Sequence, residues 1–234
     1  MSDWGLGTHV AIGLAAFLLG WYFIGLYLNR RRAGLLVRQV RDSIQPFGGT
    51  ATIRWIGRSA FRIEAEQVRS PLSKLGVSLL LEPRETFLLW VFGRLFGRRD
   101  WLMASACLDG TVSAVFEVYH PKRKGGMDSA SEVRALGWQA EPLPGRPELC
   151  YAAPGADGRA LAQEVMAVLR GSEIWRVRVR HKEPQLSVSL PVPVSEARTP
   201  LPIFTLLPQL AQAVLTRGGS GRSDGEDRNR SQAT

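Results

Sequence analysis

The chain has 234 residues, with 30 Lys and Arg against 21 Asp and Glu, a formal charge of +9 and a pI near 10.3. A balance this basic implies a polyanionic neighbour, and the 45% hydrophobic content is ordinary for a globular domain. The two cysteines, Cys107 and Cys150, read as small buried hydrophobes rather than a disulfide or metal pair.

Val10 to Leu28 is an uncharged apolar run, and Leu6 to Leu28 is long enough for a helix to cross a bilayer core about 30 Å thick. The sequence therefore predicts a transmembrane helix over 10–28 after a short external segment, 1–9. Residues 1–9 carry Asp3 and no Lys or Arg, whereas Arg30, Arg31 and Arg32 follow the span at once. The excess of positive charge on the inner side puts the amino terminus outside and the rest of the chain in the cytoplasm. A cleaved leader fits poorly, because the positive segment before the apolar run is missing. Trp4 and Tyr27 suit the two interfacial belts. Ala11, Ala15, Ala16 and Gly20 form small-xxx-small pairs, a candidate face for a second transmembrane helix.

Leu36, Val40 and Ile44 continue at helical spacing to Pro46, so residues 29–47 are expected to form a basic helical stalk projecting roughly 25 Å from the span. Roughly 170 residues remain between anchor and tail, enough for a domain with a real core. This domain, 48–216, opens with a hairpin over 51–66, turning at Gly57-Arg58, and a third strand over 76–82. Next comes an apolar segment holding Phe87, Leu88, Trp90, Val91, Phe92, Leu95 and Phe96, with Arg94, Arg98 and Arg99 close behind. It is too short to span. It is a core helix, an interfacial helix on the inner leaflet, or a docking site for a membrane-protein partner.

Leu102–Leu108 and Ser113–Tyr119 read as a hairpin turning through Asp109-Gly110. A basic loop holding Lys122, Arg123 and Lys124 lacks the order of a phosphate-binding loop and reads as solvated or lipid-touching. A short helix over 129–136, a Pro-rich loop at EPLPGRPE and a strand over 148–153 follow. The clearest soluble helix is 157–170. The hairpin over 174–192 alternates strictly: Trp175, Val177, Val179 and His181 share one face, and Arg176, Arg178 and Arg180 the other. Those guanidiniums, about 7 Å apart, form a comb that either pairs with acids elsewhere in the domain or holds lipid phosphates, RNA or an acidic protein. An amphipathic helix over 203–215, interrupted by Pro208, precedes a tail, 217–234, too polar to fold.

The sequence thus predicts an α+β protein, one amino-terminal transmembrane helix and stalk carrying a domain of mainly antiparallel hairpin strands covered by helices. No HExxH or GxSxG pattern occurs, and His9, His120 and His181 are scattered, so no cofactor, metal or catalytic residue is expected. The expected role is a non-enzymatic scaffold at the cell membrane, contacting the anionic inner leaflet and a membrane-protein partner or a second copy. The alternatives are a membrane-bound enzyme for lipid-linked or anionic substrates and, more distantly, a tethered nucleic-acid binder. A nucleic-acid surface would interleave exposed aromatics with its Arg residues, and Trp175 lies on the apolar face instead.

Overall fold

Helix α1 runs unbroken from Leu6 to Ile44 in this computed structural model, which describes residues 5–57, 59–112, 114–123, 125–192 and 201–219, with side chains as far as Leu215. Its first half is apolar and largely exposed, long enough to cross a membrane. Its second half has a buried stripe: Ala33, Leu36, Val40 and Ile44 are all within the domain core. Each large side chain removed from water this way contributes about 1.5–3 kcal/mol. The expected stalk is helical, but it is a wall of the domain and does not project from it. The apolar spacing that predicted a helix there was the signature of its packing face.

A short 3-10 turn, Gln45–Phe47, ends α1, and Gly48 and Gly49, with φ of 73° and 82°, reverse the chain. A Cβ at Gly49 would overlap the Glu66 carbonyl, so this corner needs glycine for both space and backbone angle. Strands β1 (Thr50–Trp55), β2 (Ala60–Glu66) and β3 (Leu72–Leu80) then form an antiparallel meander, with Trp55 opposite Phe61 and Phe61 opposite Leu79. After α2 (Phe87–Leu95) comes β4 (Trp101–Leu108). The remaining elements are β5 (Phe116–Tyr119), α3 (Gly126–Ala135), β6 (Ala140–Leu143), β7 (Arg146–Ala152), α4 (Ala156–Val168), β8 (Arg176–Val179), β9 (Leu186–Pro191) and α5 (Pro202–Gly219).

The nine described strands make one antiparallel sheet in the order β1-β2-β3-β4-β9-β8-β5-β7-β6. Two local expectations fail here. Asp109-Gly110 does not close a hairpin between β4 and β5, because β9 pairs with β4 and β8 separates β9 from β5. The partner choice follows side-chain size: Leu186 and Val188 of β9 lie opposite Ala106 and Ala104 of β4. The Pro-rich stretch is not a loop either. Ala140–Leu143 is an edge strand, turned back onto β7 at Pro144-Gly145, and Pro142 is tolerated because β6 pairs on one side only.

One sheet face carries Phe61, Ile63, Val77, Leu79, Leu102, Val118, Val177 and Val188, all buried beneath the second half of α1, α4 and α5. Helix α5 continues through Pro208 and buries Phe204, Leu207, Leu210 and Val214. A small second cluster of Tyr119, Val133 and Ala152 lies under α3. The tail expected to be disordered lies, from residue 220 on, outside the described residues.

Candidate membrane-facing site

Helix α2 docks on the first half of α1, the half with membrane-span composition. Phe17 and Phe87 meet edge-on at 5.2 Å and Trp21 and Phe87 edge-on at 4.9 Å, while Trp21 and Trp90 are tilted, with ring centroids 5.4 Å apart. Such aromatic pairs contribute about 0.5–1.5 kcal/mol each beyond their buried area. The Trp21 indole donates to the Arg84 carbonyl at 2.9 Å. Gly25 lets the turn before α2 approach, since a Cβ there would overlap the Arg84 carbonyl.

One turn further along α1 a polar knot closes the junction. Asn29, almost wholly buried, donates to the Glu82 carbonyl at 3.0 Å and to the Glu85 carboxylate at 2.7 Å. Arg84 donates to the Asn29 side-chain carbonyl at 2.8 Å and forks onto Asp100 at 3.1 and 2.9 Å. Arg32 approaches the same Asp100 at 3.5 Å. The Glu82 carboxylate is buried and is faced by Arg94 at 3.7 Å and Arg84 at 3.8 Å. Burial, reinforced by the Asp100 charge, pushes its pKa above the usual carboxylate value.

With that anchorage, α2 turns its apolar side chains outward. Gly93 is its only fully buried residue; Phe87 and Trp90 are half-buried against the span, Val91 is half-buried, and Leu88 and Phe92 are exposed. Leu95 and Phe96 are 76% and 81% exposed. The core-helix reading of this segment is therefore excluded. Arg94, Arg98 and Arg99 at its end are exposed beside the apolar surface, as are Arg30 and Arg31, while Arg32 turns inward. At the same level Trp55 and Ile56, at the tip of the β1–β2 hairpin, are 54% and 64% exposed. Trp55 lines a cleft with Tyr22, Leu26 and Arg30. The two apolar surfaces thus flank the point where α1 enters the domain.

The other sequence candidates lie elsewhere. Arg176, Arg178 and Arg180 are side by side on β8, as their alternation predicts, and they close on acids: all three pair with Glu117, which is fully buried, and Arg176 and Arg178 also pair with Glu132 of α3. Arg180 further stacks over Trp138, 4.8 Å from the ring centre. Burial lowers its pKa from the usual guanidinium value, with Glu117 opposing the shift. Lys122 is exposed, Arg123 reaches the Gly97 carbonyl at 3.4 Å and Glu173 at 3.9 Å, and Lys124 lies outside the described residues. Ala11, Ala15, Ala16 and Gly20 are all exposed on α1.

The knot of Asn29, Glu82, Arg84, Glu85 and Asp100 was missed in the sequence. Its signal was a lone Asn directly after an apolar run and the Glu-Pro-Arg-Glu step before a second one. Among the described residues no group of three or more His, Cys, Asp or Glu is placed to hold a metal. The class defined by this geometry is an α+β domain fused to one membrane-span-like helix, with a second apolar helix fastened to that helix. No family model matches the chain, and no curated protein matches it.

Proposed function

We infer that the protein is a single-pass membrane-anchored, non-enzymatic assembly module whose domain sits against the inner leaflet of the cell membrane, amino terminus outside. The observation that carries this reading is the docking of α2 on Phe17, Trp21 and Gly25 with Leu88, Phe92, Leu95 and Phe96 turned outward. A contiguous apolar surface of this kind is costly in water and is favoured in lipid or against another apolar surface. Arg30, Arg31, Arg94, Arg98 and Arg99 lie near the end of the span, where inner-leaflet phosphates would meet them. The span gives the module its address, the basic rim its sidedness, and α2 its contact with a membrane-protein complex. Nucleic acid fits poorly, since the Arg comb carries its own acids.

The alternative is a membrane-bound enzyme for lipid-linked or anionic substrates, and one observation favours it. Glu82 is a buried carboxylate with a raised pKa close to the bilayer, a combination that general acids use.

The test places an environment-sensitive fluorophore at Leu95→Cys in a variant lacking Cys107 and Cys150, in lipid nanodiscs, with Thr205→Cys as the exposed control. The Leu95 probe should be blue-shifted and quenched by spin-labelled lipids, and the Thr205 probe should not. Equal water exposure of the two probes defeats the leaflet contact. Gentle solubilisation and affinity capture should then recover a stoichiometric membrane protein, and its absence shifts weight to the enzyme.

A further inference from the structure

The two ends of the sheet are treated differently. The β6 edge is four residues long, contains Pro142, and shifts register between Pro142 and Leu143. These are the usual devices that stop an edge from pairing with another chain. The β1 edge has none of them. It runs six residues, Thr50–Trp55, without proline or bulge, pairs only with β2 in a regular register, and is exposed at every position. Its outer N–H and C=O groups form an open template.

Beside that edge lies a groove of about 970 Å³ with α1 as its opposite wall. Ala51, Ile53 and Ile63 form its apolar side, and Leu35, Arg38 and Arg41 project from the helix. A groove between an edge strand and a helix suits strand addition: the edge supplies main-chain bonds, and the helix reads alternate side chains of the guest. Arg38 and Arg41 are exposed and enter no ion pair among the described residues, and the same holds for Arg54 on the other face of β1. Asp42 is the acid in the groove wall.

We propose that the β1 edge is a β-augmentation site for an extended segment, alternating acidic and apolar residues, from the cytoplasmic part of another membrane protein. Acids of the guest, all on one face of its strand, meet Arg38 and Arg41 across the groove, while its apolar residues lie on the other face beside Thr52. The partner is a membrane protein because β1 runs back along α1 to Trp55, beside Tyr22 and Arg30. The edge is thereby held close to the bilayer. This clause rests on the membrane-anchored reading above. A second copy fits less well: β1 contains no acid, and two copies in one bilayer would bring Arg54 beside Arg54.

The test uses the full chain in phosphatidylcholine nanodiscs, titrated with three short fluorescent peptides: alternating Val and Glu, alternating Val and Lys, and the Val/Glu peptide N-methylated at alternate residues. The Val/Glu peptide should bind and slow amide exchange in residues 50–55. The Lys and N-methylated versions should bind at least roughly tenfold more weakly. The exposed double change R38E/R41E should reverse the Glu-over-Lys preference with the fold intact by circular dichroism. Equal binding of the three peptides, no binding of any, or an unchanged preference in R38E/R41E overturns the proposal. A disulfide between two copies carrying Thr52→Cys would assign the edge to self-association and overturn it too. The fluorophore at Leu95 separates the two readings, since its quenching by lipid does not depend on the β1 edge.

Discussion

Trp21, inside the apolar half of α1, donates its indole N–H to the main-chain carbonyl of Arg84, 2.9 Å away and 63 residues along the chain. Away from water, both the indole and the carbonyl need a partner, and each satisfies the other. Together with the ring contacts to Phe87 and Trp90, this bond makes the span and α2 one unit. Trp21→Phe keeps the ring and removes the donor, and should cost about 1–2 kcal/mol. Gly25→Leu, whose side chain would occupy the space of the Arg84 carbonyl, should cost about 1–3 kcal/mol and release α2. Amide exchange over 87–95 reads this directly; unchanged protection in Gly25→Leu would show that α2 does not depend on the span.

The outward face of α2 makes a different demand. Leu95 and Phe96 are nearly free of the domain, so replacing both with Ser should change unfolding stability by less than about 0.5 kcal/mol. The same replacement should weaken lipid quenching of a fluorophore at Leu88→Cys. Loss of several kcal/mol would instead make α2 part of the core.

Glu117 holds three guanidiniums from a site with no exposure. Removing it leaves Arg176, Arg178 and Arg180 facing one another with Glu132 as the remaining partner. Glu117→Ala should therefore cost about 3 kcal/mol, whereas Arg180→Ala, which leaves Glu117 two partners, should cost clearly less. Chemical denaturation of the two variants in one detergent measures the difference. Equal effects would mean that the comb is held by packing rather than by charge.

The hairpins at 51–66 and 174–192, α4 and α5 could be read from the sequence because their apolar spacing is local and their turns are close by. The strand order could not. Whether β4 turns onto β5 or accepts β9 depends on Ala104 and Ala106 fitting Val188 and Leu186, a match across about eighty residues that no local pattern carries. The stalk is a similar case: Leu36, Val40 and Ile44 indicated a helix with an apolar side, but not what that side meets. Of the candidate site, the apolar and basic residues of 87–99 were visible as a cluster, with core, leaflet and partner readings all open. What removed the core reading was the docking on Phe17, Trp21 and Gly25 that leaves Leu88, Phe92, Leu95 and Phe96 exposed, and a tertiary contact of this kind leaves no trace in spacing.

Glu82 permits a test of sign. Burial and the nearby Asp100 raise its pKa above the ordinary value of 4.5, with Arg84 and Arg94 opposing. A carboxyl whose pKa is higher in the folded state binds its proton more tightly there. Its contribution to stability is therefore present below the unfolded pKa and is lost as pH rises through the folded one. Glu82→Gln keeps the shape and removes the titration, while Arg84 keeps its fork on Asp100. The variant should match the parent near pH 4 and melt higher than the parent at pH 7. A variant that melts lower than the parent at pH 7, with the gap closing in acid, would mean that Arg84 and Arg94 win over burial and that Glu82 is held as an anion.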